Sequence, residues 1–169
     1  MDRLRTTAFM LLLTVSAAAA AAPVPASRDA GGQARVLSSL SLLNDTGLDF
    51  GELIVAGAGT AVIDPVGGAL TTTGAVTPAG TAAHAATFTG TGSRNSVVLI
   101  RLPKSPITVT RVGGTETMTV SNWTLDGATN RKIPPTDVFD FAVGATLNVA
   151  AGQMDGTYSG SFAVTIQYP

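Results

Sequence analysis

Thr157-Tyr158-Ser159-Gly160-Ser161-Phe162-Ala163-Val164-Thr165-Ile166-Gln167-Tyr168 places Tyr158, Phe162, Val164, Ile166 and Tyr168 at one parity, with Thr157, Ser159, Ser161, Thr165 and Gln167 at the other. Successive side chains of a strand point to opposite faces, so this stretch predicts one apolar and one hydroxyl-rich face. A second run upstream repeats the arrangement, with Phe139, Phe141, Val143, Ala145, Leu147 and Val149 against Asp140, Ala142, Gly144, Thr146 and Asn148. Residues 150–155 between them read as a loop. Weaker alternation predicts strands at 36–43, 50–55, 60–64, 69–76, 85–90, 96–102, 107–111 and 117–125. No window shows apolar residues at three-and-four spacing, so the chain is expected to be all-β. Short strands at this spacing predict an antiparallel β-sandwich, with 126–136 as a loop crossing between sheets.

The composition agrees with a passive domain. Of 169 residues, 26 are Ala, 24 Thr and 19 Gly, against nine aromatics. At about 100 to 200 residues per domain this is one domain. The net charge is −1, which leaves no basic field to attract nucleic acid. Cysteine is absent, excluding disulfides and thiolate chemistry, and His84 is the only histidine.

Arg3 and Arg5 precede an apolar and small-residue run ending in Ala17 to Ala22. This is the layout of a signal peptide, expected to span 1–21, and at 15 residues the run is shorter than the roughly 20 needed to cross a bilayer. The expected product is exported to the periplasm, cell surface or medium, without a membrane anchor once the leader is cleaved. Residues 22–35 read as a flexible extension, rich in Pro and Gly and without apolar period, and 36–169 as the sandwich.

Candidate chemistry is sparse. His84 lies in Thr81-Ala82-Ala83-His84-Ala85-Ala86, with no Gly-x-Ser-x-Gly elbow elsewhere, and reads as a surface or strand-edge residue. Asp137 with Asp140, or Asp45 with Asp49, could pair as acid and base, but alternation turns Asp140 to solvent. Asp45, Asp49 and Glu52, or Asp64, Asp126 and Asp155, could gather around calcium, yet none has the loop spacing of a calcium site. Gly57-Ala58-Gly59 and Gly90-Thr91-Gly92 read as turns, because strands rather than helices follow them. Asn44-Asp45-Thr46 and Asn122-Trp123-Thr124 fit a glycosylation pattern but read as strand or turn residues. Trp123 shares parity with Thr117, Thr119 and Ser121, which would set it on the polar face, whereas a lone tryptophan is more often part of the core. The reading is of a protein that is not an enzyme and has no catalytic, cofactor or metal residues.

Gly156 stands fourteenth from Pro169 and Tyr168 is penultimate. With the alternating apolars between them, they resemble the C-terminal motif of chaperone–usher pilins. Leu48-Asp49-Phe50-Gly51, Thr72-Thr73-Gly74, Met118-Thr119-Val120-Ser121-Asn122, Val143-Gly144-Ala145-Thr146-Leu147-Asn148-Val149 and the Gly156 block resemble the secreted bacterial domain of unknown function 4402 family, itself similar to pilin and spore-coat-U-like sandwiches. The resemblance covers nearly all of 36–169. It implies a Gram-negative host and an incomplete immunoglobulin-like sandwich, completed first by a strand from a periplasmic chaperone, at an outer-membrane usher, and then by the extension of another copy. It further implies that Gly156, Tyr158, Phe162, Val164, Ile166 and Tyr168 carry the strand-pairing edge and that Ala30, Gly32, Ala34 and Val36 are the donor positions. The expected function is a pilus- or fimbria-like subunit or an adhesive protein. The rival is a monomeric secreted sandwich that binds carbohydrate or calcium, with Trp123 stacking on a sugar ring.

Overall fold

The alternation at 138–149 becomes the spine of the fold. In a computed structural model describing Arg28 and residues 31–169, β9 (Val138–Val149) runs the length of the larger of two antiparallel sheets. Its inward residues, Phe139 through Val149 at odd numbers, are each 6 % exposed or less. One side of β9 pairs with β4 (Ala86–Thr91) along its first half and with β2 (Leu53–Ile63) at its end. The other side pairs with β7 (Thr117–Leu125). Outside these lie β1 (Ser41–Thr46) on β4, β3 (Leu70–Pro78) on β2, β6 (Ile107–Arg111) on β7, and β10 (Tyr158–Ser159) on β6. The smaller sheet has β5 (Val97–Arg101) flanked by β8 (Asn130–Lys132) and β11 (Thr165–Gln167). The expected leader 1–21 lies outside the described residues, as do 22–27, Asp29 and Ala30.

Two apolar clusters line the inner face of the large sheet. Phe88, Phe139, Phe141 and Val143 pack against Val98, Ile100 and Ile133 from the region of the small sheet, with Val164, Ile166 and Tyr168 joining from the C-terminal segment. Further along, Ala61, Val76, Val120, Ala145, Leu147 and Val149 form the second cluster, with flanking residues from β2, β6 and β7. The outer face explains the threonine excess. Thr73, Thr60, Asn148, Thr119 and Thr108 lie side by side across five strands. Thr60 and Thr73 hydroxyls meet at 2.7 Å, and Asn148 donates to Thr119 O and Ser121 Oγ. Such β-branched residues suit a pleated face whose other side is packed.

Several expectations are corrected. The C-terminal run is not one strand: Tyr158 and Ser159 pair with β6, then the chain leaves that sheet, and Thr165–Gln167 pair with β5 in the other. Alternation survives the crossing, since the even positions from Tyr158 remain half-buried, Gly160 aside. Trp123 faces the core, because a bulge at Asn122, whose φ is +50°, adds one residue between Ser121 and Thr124 and inverts the parity. Gly57-Ala58-Gly59 is not a turn but part of an irregularity within β2, where two extra residues are taken up between Val55, paired with Val76, and Gly59, paired with Gly74, and Gly90-Thr91 ends β4. The stretches 50–55 and 60–64 belong largely to the single strand β2. Residues 36–40 form no strand; Ser38 is held instead by its N–H to Ser93 Oγ and its carbonyl to Tyr168 OH. The crossing loop contains β8, which carries Arg131 rather than an apolar period. Arg131 ties this loop down by pairing with Asp126, donating to Asp140 O and lying 5.8 Å over the Phe141 ring.

Candidate functional site

The small sheet is three strands wide and covers only the first cluster. Over the second, the inner face of the large sheet lies in an open groove of ≈ 910 Å³. Its floor follows from strand parity: Met118 and Val120 of β7, Ile107 and Val109 of β6, Leu147 and Val149 of β9, and Leu53 and Val55 of β2. Trp123 and Phe162 close the end nearest the first cluster, their ring centroids 4.6 Å apart, with Phe88 edge-on to Phe162 at 6.4 Å. The Trp123 Nε1–H is buried and has no acceptor among the described residues.

Two segments wall the groove. The first is 47–53, where Asp49 and His84 exchange backbone hydrogen bonds of 3.0 and 2.8 Å. Asp49 Oδ1 also accepts from Gly51 N–H at 2.7 Å, stabilising a turn in which Gly51 has φ +68°. His84 is thus an exposed bridge residue at the foot of this wall. The second wall is 153–162. Tyr158 OH accepts from Gln153 Nε2 and donates to Met154 O, both at 2.7 Å. Arg111 Nε donates to Asp155 O at 2.6 Å, and Val112 N–H to Thr157 O at 2.8 Å. Behind this wall Arg111 pairs with Glu116 at 3.6 Å. The Glu116 carboxyl is held below the usual carboxylate range, first by a hydrogen bond from its own backbone N–H, then by the Arg111 charge and the Thr115 N–H. Past Ser159 the wall loses its ladder: among the described residues, no backbone hydrogen bond joins 160–164 to a neighbouring strand.

Of the six expected edge positions, Gly156, Tyr158 and Phe162 line the groove. Val164, Ile166 and Tyr168 turn instead to the first cluster, and Tyr168 OH accepts from Ser93 N–H at 2.8 Å. Gly156 is required where it stands, because its φ is +139° and a Cβ would sit 2.7 Å from Arg111 Nε. Of the expected donor positions, Ala30 lies outside the described residues, Gly32 and Ala34 are exposed, and Val36 is 93 % exposed. The floor of β6 and β7 and the wall 47–53 were missed as site residues. Their inward parity is legible in the sequence, but which part of the inner face lies along the groove is not.

Among the carboxylates considered as catalytic or calcium-binding groups, Asp49, Glu52 and Asp155 line the groove and others are engaged outside it. Asp137 is bidentate with Arg94, and Asp140 and Asp45 each come within 2.8 Å of Thr89 Oγ1, whose single O–H they share. Among the described residues no three His, Asp or Glu side chains converge to hold a metal ion. The groove offers an apolar floor, and its walls bring Asp49, Glu52, Asp155 and the Tyr158 hydroxyl beside it. No curated protein and no solved structure matches the chain. Residues 40–168, which include every strand of both sheets, match the domain of unknown function (DUF4402), and the chain belongs to that family.

Proposed function

We propose that the protein is an exported, non-enzymatic structural subunit of a pilus- or fimbria-like surface assembly, or an adhesive protein, built on an immunoglobulin-like sandwich that an inserted partner strand completes. The observation that carries this reading is the apolar groove, walled at 160–162 by backbone without a ladder partner among the described residues. Strand addition uses these two features together: main-chain hydrogen bonds hold the incoming segment and alternate side chains fill the floor. A Val- or Leu-sized side chain of a partner strand would gain about 1.5–3 kcal/mol on full burial, whereas Ala30, Gly32 and Ala34 of another copy would gain little and Val36 would supply most of the contact. The C-terminal resemblance to pilins also supports strand addition. On this reading a periplasmic chaperone would fill the groove first, an outer-membrane usher would direct the exchange, and another copy of the chain would follow.

The test plugs the groove. Met118→Trp and Val109→Trp add apolar volume to open space at half-buried positions, so folding should survive. The full chain is expected to form concentration-dependent assemblies by sedimentation and the plugged variants to stay monomeric. Identical behaviour of wild type and both variants at every concentration refutes the reading.

A further inference from the structure

Little backbone holds the wall 153–162 in place. Among the described residues its ladder to β6 is two residues long, Tyr158 with Arg111 and Ser159 with Thr110, and one further bond runs from Val112 N–H to Thr157 O at 2.8 Å. Residues 153–155 precede that ladder and depend on side chains. Within the wall Tyr158 OH joins Gln153 Nε2 to Met154 O, and from outside it Arg111 Nε donates to Asp155 O at 2.6 Å.

The fold clears space for this one guanidinium. A Cβ on Gly156 would sit 2.7 Å from Arg111 Nε, and one on Gly114 would lie 3.0 Å from Arg111 Nη1 and collide with Glu116 Oε2. Arg111 and Glu116 flank the turn between β6 and β7, across which Arg111 N–H donates to Glu116 O at 2.8 Å. The Glu116 carboxylate accepts from Thr115 N–H at 3.2 Å and faces Arg111 Nη1 at 3.6 Å. A planar fork can serve that carboxylate through Nη1 and the wall carbonyl through Nε at once. We propose that Arg111 is a positioning residue of the groove: anchored by Glu116 on the β6–β7 turn, it clasps the Asp155 carbonyl and keeps 153–158 docked, so that a partner strand meets a preset wall. Arg111 is not among the residues that line the groove, so it acts through the wall. Ordering a loose wall at the moment of binding subtracts from affinity, and a clasp that has already ordered it removes that loss. The inference rests on the strand-addition reading above and adds to it what prepares the site.

Hydrogen exchange of the full chain by NMR, at a concentration where it is monomeric, reads the wall and the turn separately at two adjacent amides. Val112 N–H is covered by Thr157 O of the wall, and Arg111 N–H by Glu116 O across the turn. Removing the charged donor should speed exchange at Val112 about five- to thirtyfold in Arg111→Met, while exchange at the residue 111 amide stays as in the wild type. Glu116→Gln leaves Arg111 in place but removes the charge that orients it, and should speed Val112 about two- to fivefold. In sedimentation the concentration at half-assembly should rise by the same factors in the two variants. Unchanged Val112 exchange in Arg111→Met overturns the clasp. Faster Val112 exchange with assembly equal to or stronger than that of the wild type overturns the preset wall, and strand addition survives both results. If the wild type and the plugged Met118→Trp and Val109→Trp chains behave alike, strand addition itself fails and the role given to Arg111 fails with it. Lost protection at the residue 111 amide in Arg111→Met means that the turn has opened, and Glu116→Gln then decides by the same two readings.

Discussion

Replacing Phe162 by Ala probes the groove at its aromatic end. The ring packs on Trp123 at 4.6 Å and meets Phe88 edge-on at 6.4 Å, but it is only half-buried. Fully buried Phe→Ala changes cost about 3–5 kcal/mol, and this site can lose only part of that because water already reaches one side of the ring. Roughly half the transfer loss plus one aromatic contact comes to about 2 kcal/mol. For a domain of this size that lowers Tm by about 6 °C. Trp123 is the only tryptophan, so its emission reports the site directly and should shift to the red once Phe162 no longer covers it. Urea unfolding followed by emission and by far-ultraviolet circular dichroism gives the free energy, with an unchanged m-value required for the comparison. Phe162→Leu, which keeps most of the apolar contact, should cost about half as much. A loss below about 0.5 kcal/mol with unshifted emission would show that Phe162 does not pack on Trp123 and that the groove end is built otherwise.

Four further outcomes are expected. Tyr168→Phe removes the hydroxyl that joins Ser93 N–H to Ser38 O, and chemical denaturation should show a loss of about 1–2 kcal/mol. Trp123→Phe should cost no more than about 1 kcal/mol by thermal melting, since the smaller ring loses packing but also removes a buried donor without an acceptor. Gly90→Ala drives a Cβ into the Phe139 ring, which is 6 % exposed and stacked beside Phe141, so overpacking should cost about 1–3 kcal/mol. The Glu116 carboxyl should titrate below the ordinary glutamate range by carbon NMR, and Arg111→Met should move the midpoint upward. Because its folded-state value is depressed, whatever Glu116 contributes to stability is present at neutral pH and is lost as the pH falls through that midpoint.

Legibility varied with the range of the interaction. Odd positions from Phe139 to Val149 and half-buried even positions at 158–168 could be read from alternation alone, because the face of a side chain is a local property of an extended chain. Trp123 could not, since one bulged residue at Asn122 inverts the parity and nothing in Ser121-Asn122-Trp123 announces it beyond an Asn able to take a positive φ. Strand β8 escaped for a related reason: Asn130-Arg131-Lys132 has no apolar period, and it is a strand only because β5 offers an edge and Arg131 anchors the loop. The break between Ser159 and Thr165 was hidden because the alternation continues across it while the partner strand changes.

The sequence by itself determined that the chain is all-β, that threonine faces outward and aliphatic or aromatic residues inward, and that no thiol or histidine cluster exists. These follow from residue type and the two-residue period. Only the tertiary structure decided where that inward face lies beneath a groove rather than beneath the small sheet. The small sheet spans three strands and covers Phe88, Phe139 and Phe141, leaving Met118, Val120, Leu147 and Val149 beneath a groove. Coverage depends on which distant strands pair and how far they reach, and a pattern repeated equally under both clusters carries no record of that.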